Sequence, residues 1–253
     1  MLTEISLKGK HALVTGGGSG IGLAITSQLV DAGWLVTIVG RREDALKKAA
    51  QELGGNCRYI TFDLTQIDQY PRFVAEVEAT APIDILVNNA GINNKKEYLD
   101  FTSQEFDSII ATQAKVPFML TQEVAKYMKT RNKGSVILIS SLSALLGMHN
   151  IQAYTLCKSG MVGLARSLAR DLGPYGIRVN SLNPGFVYTD MLKNTNLKTP
   201  ERLQEIAQKT PLQGFTETKD LGMAAAFLSS DAARFITGTD LVVDGGISSS
   251  FLI

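Results

Sequence analysis

The chain has 253 residues, of which 45% are apolar and 19% are charged. Its 25 Lys and Arg and 24 Asp and Glu give a formal net charge of +1. This excludes a strong positive field that would attract nucleic acid or an anionic membrane. Two cysteines, Cys57 and Cys157, are too few for a disulfide framework or a Cys-rich metal site. The two histidines, His11 and His149, lack ligand-like neighbours, so we expect no metal site.

The start of the chain has no basic segment followed by an apolar stretch, and no apolar run approaches the roughly 20 residues that span a bilayer. We therefore expect a cytoplasmic protein with no membrane contact. The chain also lacks internal repeats and low-complexity linkers. This predicts one domain over residues 1–253.

Short β-rich runs alternate with longer stretches of helical spacing. Several runs are apolar almost throughout, as is typical of strands covered on both faces. The pattern predicts an α/β fold: a doubly wound, Rossmann-like parallel sheet of about seven strands with helices on both faces. Ligands of such sheets bind beyond the carboxyl ends of the strands. The predicted strands are His11–Thr15, Leu35–Val39, Arg58–Phe62, Ile83–Val87, Ser135–Ser140, Arg178–Leu182 and Leu241–Val243.

A glycine-rich segment, TGGGSGIG, follows the first strand at residues 15–22 and leads into a helix. Gly16 allows a tight turn, Gly20 lets the backbone approach a pyrophosphate, and Gly22 lets the helix pack closely on the sheet. Free N–H groups at the start of the helix then face the phosphates. A flexible turn is the alternative, but the position between a strand and a helix favours nucleotide binding.

Three motifs together resemble those of the short-chain dehydrogenase/reductase family, over about residues 8–246. They are the G-x-x-x-G-x-G spacing, Asn88-Asn89-Ala90-Gly91 after the fourth strand, and Tyr154-x-x-x-Lys158. The resemblance implies an oxidoreductase that interconverts a secondary alcohol and a ketone with a nicotinamide cofactor. It also implies that the cofactor contacts Ser19, Ile21, Asp63, Leu64, Asn89, Ala90, Gly91, Pro184, Val187 and Thr189, besides the glycines and the Tyr-Lys pair. For Asp63, capping of a helix is the alternative.

The end of the second strand indicates which nicotinamide cofactor is used. An acidic residue usually binds the ribose of NAD there, but this strand ends in Gly40 followed by Arg41 and Arg42. Because a guanidinium group can bind a 2′-phosphate through two hydrogen bonds, we predict NADP(H), with Arg41 as the main contact and Arg42 as the second. The alternative is that both arginines are solvated residues that open the next helix. Ser19 lies where relatives that prefer NADP often carry a basic residue.

Tyr154 and Lys158 are four residues apart in Gln152–Leu172, whose spacing predicts a helix, so they share one face. Alone, such a pair is usually a surface pair. A free phenol has a pKa near 10, and we expect the ammonium and an oxidised nicotinamide to favour its ionised form. Ser141 lies thirteen residues before Tyr154 at the end of the fifth strand, and that offset matches the family motif. Its hydroxyl would donate to the substrate oxygen, while Ser140 should point elsewhere.

The sequence departs from the family pattern at Gln113, where the family has an Asn that helps to hold a water for proton relay. Pro117 lies four residues later and has no N–H for the Gln113 carbonyl. We expect that carbonyl to hold the relay water, which places Gln113 among the catalytic residues. The alternative is that Pro117 only kinks the helix.

The substrate is poorly encoded. We expect polar contacts from Asn93 and Gln152, an apolar wall of Leu142, Leu145, Met148 and Phe186, and a mobile helical lid over residues 190–211. His149 is a third candidate for a polar contact, although an isolated histidine of this kind is more often an incidental loop residue. Residues 91–96 resemble the corresponding stretch of some sugar-acid and polyol dehydrogenases. The candidates are therefore a keto-sugar, a sugar acid or a small ketone, with a 3-oxoacyl thioester reductase or a non-catalytic nucleotide-binding scaffold as alternatives. The resemblance also implies a homotetramer, joined through the helices of residues 106–131 and 152–172 and the C-terminal region.

Overall fold

A computed structural model describes residues 9–187 and 199–250. Seven strands form one parallel sheet in the order β3-β2-β1-β4-β5-β6-β7. The strands are β1 His11–Thr15, β2 Leu35–Gly40, β3 Cys57–Thr61, β4 Ile85–Asn88, β5 Gly134–Ile139, β6 Ile177–Pro184 and β7 Asp240–Val243. The predicted doubly wound sheet of about seven strands is confirmed, with strand ends shifted by one or two residues.

Helices lie on both faces of the sheet. They are α1 Gly20–Asp31, α2 Glu43–Leu53, α3 Tyr70–Thr80, α4 Ser103–Ile110, α5 Val116–Arg131, α6 Gln152–Leu172, α7 Pro200–Lys209 and α8 Thr218–Ser229. A π-helical turn, Ala111–Lys115, joins α4 to α5. No helix among these described residues is both long enough and apolar enough to span a bilayer.

The apolar strands are buried on both faces because successive side chains point in opposite directions. In β1, Val14 belongs to the core formed with α1, α2 and α8, whereas Leu13 belongs to the core formed with α3, α5 and α6. Both residues are fully buried. Each such side chain contributes about 1.5–3 kcal/mol through burial. The near-continuous apolar runs in the sequence follow from this double coverage.

The chain runs from β1 to β2 on one side and returns to β4 on the other side of β1. This reversal separates the connections at the carboxyl ends of β1 and β4 and opens a crevice there, where ligands of such sheets bind. The fold thus places the glycine-rich segment beside the residues that follow β4.

The predicted lid lies partly in the described residues. Residues 200–209 form α7, as expected of a helical segment, and its buried Ile206 packs with Leu142 and Ile247. Residues 188–198, which include Thr189, lie outside the described residues. The mobility of the lid stays a prediction.

His11 generates a test of stability against pH. His11 is the first residue of β1, at the end of the sheet opposite the crevice, and it is 1% exposed. Its Nδ1 lies 2.8 Å from the Ala81 carbonyl oxygen, and its Nε2 lies 2.8 Å from Thr37 Oγ1. Burial lowers the pKa of His11 below its ordinary value of 6.5, so the unfolded chain binds the proton more tightly. The free energy of unfolding should therefore be fully retained above pH 6.5 and should fall as the pH drops below it.

Urea denaturation between pH 5 and pH 7.5 measures this effect. His11→Gln should flatten the dependence on pH, whereas His149→Gln, at the exposed histidine, should leave it unchanged. Equal slopes for wild type and His11→Gln would show that other groups cause the loss of stability.

Candidate active site

A cleft of about 620 Å³ runs along the carboxyl ends of the strands. Its wall includes the predicted site residues Gly16, Ser19, Gly20, Ile21, Arg41, Arg42, Asp63, Leu64, Asn89, Ala90, Gly91, Gln113, Ser141, Tyr154, Lys158, Pro184 and Val187. The fold therefore brings together residues that are up to about 170 positions apart in the sequence.

The glycine-rich segment forms one end of the cleft. Gly16 has φ +67°, a conformation that favours glycine, and its N–H donates to the Val39 carbonyl at 2.7 Å. Helix α1 begins at Gly20, and the Ser19 side chain makes no capping hydrogen bond to it. The first N–H groups of α1 therefore have no side-chain cap, as a phosphate site at a helix start requires.

Gly22 does not line the cleft but keeps α1 close to the sheet. A Cβ at this position would lie 2.3 Å from the Gly16 carbonyl oxygen and 2.4 Å from Asn89 Nδ2. Asn89 Nδ2 donates to the carbonyls of Thr15 and Gly16 at 3.0 and 3.3 Å. The Asn89 amide thus joins the glycine-rich segment to the residues that follow β4.

Two arginines lie on the cleft wall after β2. Both arginines are exposed, and Arg42 Nη2 donates to Ser19 Oγ at 2.9 Å. Asp63 Oδ1 accepts from the N–H and the hydroxyl of Thr65 at 3.0 and 2.8 Å. These bonds, with a smaller effect of Arg41, lower the pKa of Asp63. Asp63 closes a turn, so the alternative of helix capping is wrong.

Helix α6 places Tyr154 and Lys158 on the cleft wall. The Lys158 side chain is buried, with Nζ 5.4 Å from the centre of the Tyr154 ring and donating to the Ile139 carbonyl at 2.7 Å. Burial lowers the pKa of Lys158 to about 8. The alternative of a solvated surface pair is therefore wrong.

The expected lowering of the pKa of Tyr154 is not found in the free protein. Burial raises this pKa, and a hydrogen bond with the Ser141 side chain opposes the increase. Desolvation is the largest effect on this pKa, and the Lys158 ammonium, 5.4 Å from the ring centre, does not reverse it. The phenol is therefore protonated at neutral pH, the state that can donate a proton.

Ser140 and Ser141 have different roles, as the alternation along β5 predicts. Ser140 Oγ donates to the Lys158 backbone carbonyl at 2.7 Å. Ser141 Oγ accepts from the Ser143 N–H at 3.1 Å and contacts the Tyr154 hydroxyl. Only Ser141 directs its hydroxyl to Tyr154.

Gln113 lies in the π-helical turn, 2% exposed, beneath Gly91. The Val116 N–H donates to the carbonyl of Ala111, five residues earlier. Pro117, the next residue, has no N–H to continue this ladder, which accounts for a π turn at this position. Gln113 Nε2 donates to the Ile92 carbonyl, and Oε1 is buried without a hydrogen-bond partner among the residues that the structure describes.

The substrate end of the cleft differs in part from the expectation. Asn93, Leu142, Met148 and Phe186 lie on its wall, whereas His149, Gln152 and Leu145 do not. His149 and Gln152 are exposed because the turn before α6 and its first residue face outward. The sequence interpretation missed Lys95, Thr112 and Ile151, which line the cleft. Among the described residues, no group of three or more His, Cys, Asp and Glu side chains could hold a metal ion.

A buried chain of hydrogen bonds behind Ser141 was also missed. The Ser141 N–H donates to Asn183 Oδ1 at 2.7 Å, and Asn183 Nδ2 donates to Asp240 Oδ2 at 2.6 Å. Asp240 Oδ1 accepts from Ser181 Oγ. Because β5, β6 and β7 are neighbours, this chain fixes the Ser141 backbone from the adjoining strands. Asn183 precedes Pro184-Gly185, and a Pro-Gly pair indicates a turn. Nothing in the local sequence therefore pointed to a role for the Asn183 amide.

We expect Asn183→Ala to lower kcat about tenfold or more by misplacing the Ser141 hydroxyl. If Asn183 acts through Ser141, its removal should cost little in a Ser141→Ala background. Asn180→Ala is the matched control, since Asn180 is equally buried on β6 but binds residues 236 and 239 instead. Its effect should add to that of Ser141→Ala; additive effects of Asn183→Ala would contradict the positioning role.

Comparisons with known proteins show the family to which the chain belongs. A family model described as enoyl-(acyl carrier protein) reductase matches residues 16–248. The gluconate 5-dehydrogenase of Gluconobacter oxydans is 34% identical over 249 residues, which cover 97% of each chain. The 3-oxoacyl-[acyl-carrier-protein] reductase of Rickettsia bellii is 35% identical over 243 residues, covering 96% of this chain and 98% of the relative.

A crystal structure of a gluconate 5-dehydrogenase from Burkholderia cenocepacia, in complex with NADP and tartrate, superposes with a TM-score of 0.92. It is 31% identical, and 98% of each chain is covered. The chain belongs to the short-chain dehydrogenase/reductase family.

Proposed function

We propose that the protein interconverts a secondary alcohol and a ketone with NADP(H), with Tyr154 as the general acid and base. The observation that carries this proposal is the contact of the Tyr154 hydroxyl with Ser141 in a cleft shared with Lys158 and the glycine-rich segment. A general acid must lie within hydrogen-bond reach of the oxygen that it protonates, and the opening of Tyr154 and Ser141 to the same cleft supports this role.

The cofactor is NADP(H), and the protein is an oxidoreductase that acts on CH–OH groups. NADP is bound in the Burkholderia structure, and the Gluconobacter relative is a dehydrogenase of a hydroxylated acid. In this chain the N–H groups at the start of α1 would hold the pyrophosphate, and Arg41 and Arg42 would hold the 2′-phosphate. Asp63, Leu64, Asn89, Ala90 and Gly91 would hold the adenosine half, and Pro184, Val187 and Thr189 the nicotinamide half.

When bound, the nicotinamide supplies or accepts the hydride. Tyr154 would donate a proton to the carbonyl oxygen during reduction. During oxidation the phenol would first lose its proton to the relay, and the phenolate would then remove the proton from the hydroxyl. Ser141 has its Oγ held by the Ser143 N–H, so its own hydrogen can stabilise charge that develops on the substrate oxygen. Lys158 uses one N–H on Ile139 and keeps the others for the nicotinamide ribose. The Gln113 carbonyl would hold the water that relays protons to Lys158.

The substrate would be a keto-sugar, a sugar acid or a small ketone. The cleft supports this range because polar Asn93 and Lys95 and apolar Leu142 and Phe186 line one end. Reduction of a 3-oxoacyl thioester is the second candidate, and the Rickettsia relative favours it.

Tyr154→Phe should abolish ketone-dependent oxidation of NADPH, because the ring remains but the proton donor is lost. Binding of NADPH, followed by its fluorescence, should be retained. The exposed Tyr98→Phe is the matched control and should keep full activity. Wild-type protein that oxidises NADPH with none of a panel of keto-sugars, acyl thioesters and simple ketones would instead support a nucleotide-binding scaffold.

We expect wild-type protein to have a higher kcat/KM for NADPH than for NADH. Arg41→Ala should lower kcat/KM for NADPH about tenfold or more, since a hydrogen bond to a charged group contributes about 1.5–3 kcal/mol. The kcat/KM for NADH should stay almost unchanged, because NADH has no 2′-phosphate. Arg42→Ala should have a smaller effect. Lys47→Ala on the exposed face of α2 removes the same charge away from the cleft and should change neither value. A wild-type preference for NADH would refute the assignment of the arginines.

The protein would assemble as a homotetramer. Phe106 on α4, Phe118 on α5 and Leu156 on α6 are 38%, 48% and 55% exposed. Phe227 on α8 and Phe235 before β7 are also exposed. Exposed apolar side chains on α4 to α6, and on α8 and the segment before β7, support subunit contacts through the helices and through the C-terminal region. Residues 251–253, which would add to the second contact, lie outside the described residues.

A further inference from the structure

The segment that follows β4 contributes a cation and an amide to the cleft. Asn93, Lys95 and Gln113 line the same cleft as Tyr154 and Ser141. We call these three residues the polar end of the cleft. The proton chemistry proposed above does not use the Asn93 or Lys95 side chains.

Two adjacent lysines in this segment differ in their partners. Lys96 Nζ binds both carboxylate oxygens of Glu105, at 3.0 and 2.9 Å, and does not line the cleft. Lys95 lines the cleft, and within residues 9–187 and 199–250 it makes no hydrogen bond or ion pair. Partial burial lowers the pKa of Lys95. A cation that loses part of its hydration without gaining an anion is costly, and a bound carboxylate would remove that cost.

Two acceptor oxygens at the polar end also lack donors. Gln113 Oε1 and Asn93 Oδ1 are both buried and have no hydrogen-bond partner within the described part of the chain. The bond from Gln113 Nε2 to the Ile92 carbonyl fixes the orientation of the Gln113 amide, and Gly91 packs against it. Buried polar groups are normally hydrogen-bonded, so these oxygens require a donor that enters the cleft. Hydroxyl groups are donors of suitable size.

We propose that the polar end of the cleft binds a hydroxylated carboxylate, with the carboxylate at Lys95 and hydroxyl groups at the oxygens of Asn93 and Gln113. This inference rests on the proposed function and selects a sugar acid among its candidate substrates. In the oxidation, the carbinol carbon would give a hydride to NADP⁺ and its hydroxyl would give a proton to the phenolate form of Tyr154. The carboxylate is unchanged and serves only for recognition.

The test compares an aldonate with the alditol of the same carbon chain, in which a CH₂OH group replaces the carboxylate. With D-gluconate and D-glucitol as probes, kcat/KM for wild type should be at least tenfold higher for gluconate. Lys95→Gln should raise the KM for gluconate about tenfold or more and leave the KM for glucitol unchanged. Lys96→Gln, the matched control, removes the same charge from the neighbouring residue and should not change the ratio of the two substrates.

Two further measurements separate charge recognition from a general structural effect. Added salt should raise KM for gluconate, but not for glucitol, since Lys95 is exposed enough for its attraction to be screened. Asn93→Ala should raise the KM for gluconate and for glucitol by the same factor, because both molecules carry the hydroxyl groups. Equal losses on both substrates for Lys95→Gln, or equal wild-type kcat/KM values, would overturn the proposal.

Calorimetry with NADP⁺-saturated protein distinguishes the failure of this inference from that of the proposed function. Binding of gluconate that is weakened by Lys95→Gln but not by Lys96→Gln would support the polar end even without turnover, and only the proposed reaction would then fail. Turnover of neutral ketones without gluconate binding would support the reaction and refute the polar end.

Discussion

The arrangement of the active site depends on one buried ammonium group. Lys158 Nζ binds the carbonyl of Ile139 at the last residue of β5, and Ser140, the next residue, returns a hydrogen bond to the backbone of Lys158. These two bonds hold α6 against the end of β5. Because Tyr154 lies one turn before Lys158 and Ser141 directly follows Ser140, the same contact sets the geometry of all three side chains. Burial of the ammonium is compensated only if the carbonyl and the cleft supply its hydrogen bonds.

The strand ends on either side complete this arrangement. On one side, Asn183 and Asp240 hold the backbone of Ser141 from β6 and β7. On the other side, Thr15 Oγ1 accepts from the N–H groups of Asn89 and Ala90 and fixes the residues after β4 against the glycine-rich segment. The site is therefore built from strand termini of a rigid parallel sheet, which explains how the binding and chemical residues can be precisely placed although most of them lie in loops.

Local patterns predicted much of the fold and the position of the cleft. The apolar runs predicted strands because both faces of the sheet are covered, and the helix Gln152–Leu172 has the predicted bounds. Motif spacing located the glycine-rich segment and the Ser-Tyr-Lys set. The π turn at Gln113 was not predicted, because Pro117 indicated only a lost hydrogen bond and not how the helix would rearrange. Gln152 and Leu145 were assigned wrongly to the cleft, because proximity in sequence to Tyr154 or Ser141 does not fix the direction of a side chain, whereas His149 is an exposed loop residue, as is usual for an isolated histidine.

The sequence by itself determined the order of strands and helices along the chain, the candidate residues for binding and reaction, and the lack of an acidic residue after β2. These depend on periodicity, on residue type and on spacing along one chain. Only the tertiary structure decided that burial favours the protonated form of Tyr154 and that Lys96, rather than Lys95, pairs with Glu105. It also decided which buried oxygens of the described residues lack donors. Desolvation and pairing depend on neighbours from distant parts of the chain, and those neighbours are known only when the strands are side by side.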